Sequence, residues 1–302
     1  MRLVAAVLLL AAPACRGGAS EAQQFDGALA HRFVEHMVQA GPRVPNSEAH
    51  RAIGDWLVSE LRSRADTVIT QEWTHVTRRG DTLHLRNVLA RFRPAEPGRV
   101  LYVSHWDSRP RSDLDPDPSR RDMPTPGAND GGSSTGMLLA LADHLKRQPP
   151  AVGVDLLFTD GEDWGYFEGE DDPDVLIGAR YFAAHLPDSG YMPLYAVVWD
   201  MIGDDTQEFP QEGYSIRGAP EVVERVWERA RELGLGRVFR NRQGGPMTDD
   251  HLPLQRAGIR AIDVIDCCSD SYPHWHTTQD TPDKVMPQSL ANAGRVALSL
   301  VR

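Results

Sequence analysis

Five places along the chain carry side chains suited to gripping a divalent cation. They are His105 in Ser-His-Trp-Asp-Ser, Asp130 in Gly-Ala-Asn-Asp-Gly-Gly, the pair Glu162-Asp163 in Asp-Gly-Glu-Asp, Asp200 in Trp-Asp-Met-Ile-Gly, and His276 in His-Trp-His-Thr. A single acid at a strand end is ordinarily a helix cap or a turn former. Several at successive strand ends are different, because a parallel sheet gathers those ends on one side of the molecule. Carboxylates crowded there without a cation repel one another, and a dication relieves them. Mixed imidazole and carboxylate donors, with no Cys among them, point to a catalytic zinc rather than a structural one. Glu162 and Asp163 are neighbours and can point apart, so one can ligate while the other faces a substrate as general base. The acids that follow, Glu168 through Asp174, offer a plainer reading as a solvated loop. That reading does not explain why an apolar strand runs straight into Asp-Gly-Glu-Asp.

The elements that must position these residues show in the hydrophobic pattern. Phe33, Met37 and Val38 recur at helical spacing until Gly41-Pro42 stops the run, and Asn46-Ser47 opens a second helix with Ile53, Trp56, Leu57 and Leu61 on one face. Val68 to His75 and Asn87 to Phe92 alternate as strands around an Arg-Gly-Asp turn. Then a theme repeats, a short apolar run ending in a polar residue. Val100 to Val103 ends at His105, Val154 to Phe158 at Asp160, Tyr195 to Val198 at Asp200, and Ile259 to Ile265 at Asp266. Helical segments lie between and after them at Ser133 to Arg147, Gly178 to His185, Pro220 to Leu233 and Pro287 to Leu300. The expectation is a single α/β domain over residues 25–302, with a mostly parallel twisted central sheet and helices on both faces. The segment from Arg109 to Pro126 is too polar for a core and should cross the surface near the site.

In this order, His-Trp-Asp-Ser-Arg-Pro, Gly-Ala-Asn-Asp-Gly, Asp-Gly-Glu-Asp, Asp-Met-Ile-Gly, Asp-Asp-His-Leu-Pro and Trp-His-Thr resemble the zinc aminopeptidase-like family. Within it they look closest to the bacterial, animal-like glutaminyl-peptide cyclotransferases. The resemblance implies one catalytic zinc on Asp130, Asp163 and His276, and Glu162 as general acid/base. It places Asp200 and Asp250 in a hydrogen-bonding relay around the substrate amine, and Trp275 in the substrate pocket. Trp164, in the loop after Glu162, is a second candidate for the pocket rim, whereas Trp106 and Trp199 read as packing. His251 and His274 read as hydrogen-bonding neighbours.

Two reactions fit the motifs. In a cyclase, zinc polarises the side-chain amide of an N-terminal Gln, and the α-amine attacks it with loss of ammonia. In a two-zinc aminopeptidase, His105, Asp130 and Asp200 hold one ion and Asp130, Asp163 and His276 the other. The Asp249 to Pro253 and Trp275 to Thr277 segments favour the cyclase. Gly132-Ser133-Ser134-Thr135-Gly136 matches the G-x-S-x-G elbow of serine hydrolases, but no strand precedes it, so it reads as a helix start. A non-catalytic binding module is countered by the intact Glu162.

Composition adds limits. The net charge of -11 argues against nucleic acid as a partner and suits a peptide amine. Residues 1–15 read as a secretory signal, with one basic residue, an apolar run and then small residues before Cys15. Cys15 is placed for lipidation, which would make the chain an exported periplasmic or outer-membrane-anchored lipoprotein; a plain cleaved signal would leave it secreted. Residues 16–24 read as a tether. A monomer acting on peptide N-termini is expected. Cys267 and Cys268 are expected to be two buried thiols at a strand end, a disulfide between such neighbours being the less common alternative.

Overall fold

Asp26 accepts a hydrogen bond from the Leu29 amide at 2.8 Å and so caps the first helix, α1 (Gly27–Gln39). Ser47 does the same for α2 (Glu48–Arg62) through the His50 amide. The computed structural model describes residues 25–168, 171–268 and 271–302. The signal, Cys15 and the tether lie outside the described residues.

After α2 the chain forms a long hairpin, β1 (Thr67–Val76) and β2 (Thr82–Phe92), and then alternates strand with helix. The elements are β3 (Arg99–His105), α3 (Gly132–Arg147), β4 (Gly153–Thr159), α4 (Ile177–Ala184) and β5 (Tyr195–Asp200). Next come a small β6 (Phe209–Gln211), α5 (Gly213–Gly218), α6 (Pro220–Glu232), β7 (Phe239–Gln243), α7 (His251–Arg256), β8 (Ala261–Ile265) and α8 (Pro287–Ser299). The main sheet has the order β1-β2-β4-β3-β5-β8. β3 runs parallel to β4 and β5, and β5 parallel to β8, while β1 and β2 add an antiparallel edge.

Every residue of β3, β4 and β5 is buried, as expected of strands covered on both faces. Alternate residues serve the two faces. Val100 and Tyr102 join a core built on α1, α2, α3, α6 and α8, and Leu101 and Val103 join a second core with Phe182 of α4 and Leu254 of α7. The expected α/β fold is therefore the observed one, and it brings the carboxyl ends of β3, β4, β5 and β8 to one edge. Among the described residues no helix is long and apolar enough to cross a membrane.

Candidate active site

His105 ends β3, the Asp160 to Asp163 segment follows β4, and Asp200 ends β5. Asp130 lies in the turn before α3, and His276 comes in on the loop after β8. Gly131, which precedes α3, has φ of +67°, and a Cβ there would meet the His105 ring at 2.5 Å. Only glycine lets Asp130 and His105 approach so closely.

One ligand atom each from Asp130, Asp163 and His276 lie within 4.8 Å of one another, and the same holds for His105, Asp130 and Asp200. The two triads share Asp130. His276 Nε2 is 3.5 Å from Asp130 Oδ2 and 3.6 Å from Asp163 Oδ1. His105 Nε2 is 3.1 Å from Asp130 Oδ1 and 3.3 Å from Asp200 Oδ1. All are buried. Asp130 Oδ2, Asp163 Oδ2 and His105 Nε2 have no hydrogen-bond partner among the described residues. Buried polar atoms are ordinarily satisfied, so these orphans, converging with mixed N and O donors, fit a divalent cation of the zinc type.

Supporting groups hold the donors in place. The Asp107 carboxylate accepts from the amides of Glu162 (3.2 Å) and Asp163 (3.3 Å) and faces His105 Nδ1 at 3.3 Å. Arg109 is buried and bidentate to Asp113 at 2.8 Å for both contacts, and its remaining nitrogen donates to Asp163 Oδ1 at 2.5 Å. That grip leaves Oδ2 of Asp163 as the free ligand atom. Asp280 accepts from the amides of Asn129 (2.8 Å) and Asp130 (3.2 Å) and fixes the turn that carries Asp130.

Protonation is set by burial and crowding. Burial, together with the charges of Asp163, Asp249 and Asp250, pushes the Glu162 carboxyl well above the usual carboxylate range. Burial first, then the charges of Asp200 and Asp250, raise Asp249 to about 8. Burial and the Arg109 charge lower His276 to about 3, which keeps its imidazole neutral and able to ligate. Burial would lower His105 as well, but the neighbouring Asp200, Asp107 and Asp130 outweigh it and raise it well above its ordinary value.

A cavity of about 370 Å³ opens over these groups. Its polar lining includes Arg109, Asp130, Glu162, Asp163, Asp200, Asp249 and His276, and its apolar lining Leu114, Tyr166, Phe167, Met201, Met247, Ile265, Cys267 and Trp275. Of the residues expected from sequence at the substrate, Glu162, Asp200 and Trp275 line it. Three expectations need correction. Asp250 does not line the cavity; it is sunk behind it and accepts from Thr159 Oγ1 at 2.5 Å, while its neighbour Asp249 faces the space. Trp164 turns away and packs with Trp73 against Leu83, Leu85 and Ile177, so Tyr166 and Phe167 are the aromatics on that side. Cys267 and Cys268 are not two buried thiols but a half-buried disulfide between adjacent residues.

The Arg109 to Pro126 segment does run beside the site, with the Leu114 amide donating to the His276 carbonyl at 3.2 Å, but Arg109, Ser112 and Asp115 turn inward and are buried. Trp106 and Trp199 are buried, as packing residues should be. His251 is also buried and lies 3.3 Å from Glu212. Ser133 and Ser134 sit in the first turn of α3, bonded to the Asn129 and Gly131 carbonyls, and form no nucleophile elbow.

Buried imidazole and carboxylate donors beyond the carboxyl ends of a largely parallel sheet define a metal-dependent α/β enzyme. The model of Peptidase family M28 matches residues 87–301, and the chain belongs to that zinc-dependent enzyme family. It is similar to bovine glutaminyl-peptide cyclotransferase, at 25% identity over 240 residues, which is 70% of this chain and 63% of the bovine protein. It is also similar to aminopeptidase YwaD of Bacillus subtilis, at 25% identity over 213 residues, 68% of this chain and 41% of that protein. The chain thus spans less than two thirds of the length of these two relatives. Among solved structures, it is similar to Bacteroides thetaiotaomicron glutaminyl cyclase at 33% identity and a TM-score of 0.89. A Zn-dependent exopeptidase from Parabacteroides distasonis gives 37% and 0.88. Both alignments cover 92% of this chain and 98% of the other. Proteins named for either reaction therefore match equally well.

Proposed function

We propose that the chain is a glutaminyl-peptide cyclotransferase, converting N-terminal Gln of peptides to pyroglutamate with release of ammonia. One observation carries the reading. The two segments that set the cyclase motifs apart, Asp249 to Pro253 and Trp275 to Thr277, each send a side chain into the cavity, namely Asp249 and Trp275.

Asp130, Asp163 and His276 would hold the zinc, which when bound polarises the side-chain amide carbonyl of the substrate. Glu162 lines the cavity outside that triad, and with a bound cation's charge offsetting the burial and crowding that raise it, its carboxylate would take the α-amine proton and return it to the departing nitrogen. Asp200 and Asp249 supply acceptors for the amine and orient it toward the amide carbon. The nucleophile is part of the substrate, so ring closure gains from a high effective molarity. Trp275 and the neighbouring apolar side chains exclude water, which would otherwise compete as nucleophile.

A two-zinc aminopeptidase is the second reading, favoured by the His105, Asp130 and Asp200 triad that shares Asp130 with the first. Export through residues 1–15, anchoring through Cys15 and a monomeric state belong to the same proposal. Incubating zinc-loaded protein with Gln-initiated and Leu-initiated dipeptides separates the readings. Loss of ammonia with the backbone intact supports the cyclase. Release of a free amino acid overturns it.

A further inference from the structure

Cys267 and Cys268 follow β8 directly, and Cys267 lines the cavity among Met201, Met247, Ile265 and Trp275. We propose that this disulfide is a specificity-determining part of the cavity wall, and that a dithiol reductant alters substrate binding by opening it. The inference rests on reading this cavity as the peptide site.

Stability does not account for the bridge. The entropy that a disulfide removes from the unfolded chain grows with the length of the loop it closes, and a bond between adjacent residues closes the shortest loop possible. Its effects are local. The bond ties both residues into one small ring and presents sulfur without S–H donors to an apolar surface. It also fixes the base of the loop that brings in Trp275 and His276. The Cys268 carbonyl accepts from the amides of Ser271 (3.0 Å) and Tyr272 (2.8 Å), and the Tyr272 hydroxyl donates to Asp280 at 2.7 Å. Asp280 in turn holds the Asp130 amide. A continuous set of contacts therefore joins the disulfide to the turn carrying Asp130.

Cys267 faces the cavity and both residues are half-buried, so a small dithiol can reach the bond. One thiolate of the reductant attacks a cysteine sulfur to give a mixed disulfide, and its second thiolate displaces the enzyme thiol. The reductant leaves as a disulfide, having supplied two electrons and two protons, and Cys267 and Cys268 remain as thiols. The ring is gone, two polarisable donors enter the wall, and the apolar part of the N-terminal residue loses its fixed surface. Binding should weaken more than chemistry, because Glu162 and Asp163 are held on the segment after β4 by Asp107 and Arg109 and not by the Cys267–Cys268 segment.

The test uses zinc-loaded full-length protein with Gln-initiated and Leu-initiated peptides in parallel. Free thiols, zinc content, KM and kcat are read before reduction, after it and after reoxidation. The expected result is two new thiols, a KM raised about tenfold (the size of one lost apolar contact in a pocket), kcat within about twofold at constant zinc, and recovery on reoxidation. The Cys267→Ser/Cys268→Ser double variant should show the raised KM and no response to dithiol. If that variant fails to fold, the reduction and reoxidation of the parent still decide the matter. No gain of thiols, or a gain with KM unchanged, overturns the proposal. Turnover of the Leu peptide instead of the Gln peptide overturns the cyclase reading alone, and the KM for the Leu peptide then carries the same test.

Discussion

Charge is buried at both ends of the central sheet, but on opposite terms. At the amino end Asp155 of β4 is fully buried and has every acceptor position filled. Arg99 donates to both of its oxygens, Arg91 to one at 3.3 Å, and Tyr191 to the other at 2.8 Å. Arg99 spends its remaining donors on the carbonyls of Phe92, Arg93, Glu96 and Val154. At the carboxyl end acids outnumber cations, and Asp130, Asp163, Asp250 and Asp263 keep oxygens with no partner among the described residues. A satisfied buried network holds structure together, whereas an unsatisfied one is kept for something that binds. One sheet thus carries a structural charge cluster and a functional one, told apart by accounting for hydrogen bonds rather than by residue type.

Substitutions should respond accordingly. Glu162→Gln is expected to lower kcat by two to four orders of magnitude, the usual weight of a general acid/base group, with zinc retained. Near-normal turnover would mean that Glu162 does not move the proton. Asp155→Ala should do the reverse. It takes the carboxylate partner from buried Arg99, and one of two from Arg91, which keeps Asp188, and should cost about 3–5 kcal/mol of stability, read from denaturant unfolding, with kcat unchanged at temperatures where the chain is folded. A large loss of kcat in folded Asp155→Ala would collapse the distinction between the two ends.

A third test titrates the carboxyl end. Burial first, then neighbouring charge, raise Asp249 from 3.8 to about 8 and Asp280 from 3.8 to about 7. Between those limits the folded chain holds protons that the unfolded chain has released. These two groups therefore stabilise the metal-free protein fully below about 4 and lose that contribution as pH rises toward about 8; His276, lowered to about 3, acts in the opposite sense below the ordinary histidine value of about 6.5, so the net fall is expected above it. A bound dication supplies the missing positive charge, so the zinc-loaded protein should show a shallower slope. Melting temperatures across pH, with chelator and with zinc, check this. A metal-free Tm that stays flat or climbs between about 6.5 and 8 would refute it.

What the sequence made legible follows from the strength of the local signal. The buried strands ending at His105, Asp160 and Asp200 are continuous apolar runs, and the long helices have amphipathic spacing, so the fold and the strand-end candidates could be read directly, whereas the set Asp130, Asp163 and His276 came with the family resemblance. The smaller elements could not. α7 has Pro253 inside six residues, and β7 reads Phe-Arg-Asn-Arg-Gln with only its Phe buried. Neither shows the period of its class. Side-chain direction was the other gap. Which of Asp249 and Asp250 faces the cavity depends on the turn into α7. Trp164 turns aside to pack with Trp73, a contact between distant segments. Arg109 was seen only as a member of a motif. Its grip on Asp163 spans distant segments, and no local pattern encodes it.

The smallest expected effect sharpens the contrast most. Asp263 lies on β8, fully buried, with no N–H donor for either oxygen among the described residues, and the Asp249 carboxyl is the acid in hydrogen-bonding reach of it. Asp249→Asn replaces one of two facing acids with an amide. The amide oxygen can still accept from the Asp250 amide, as the carboxylate does, while the new NH₂ can donate to Asp263. Asp249 itself keeps a proton below about 8, so the metal-free protein should gain about 1 kcal/mol, one net hydrogen bond in a buried place, above that pH, and turnover should fall because an acceptor for the substrate amine is lost. Stability rising as activity drops is the mark of a residue kept for function at a cost in folding. A variant that melts lower than its parent would show that Asp249 already has its partner, and would move it to the satisfied class of Asp155.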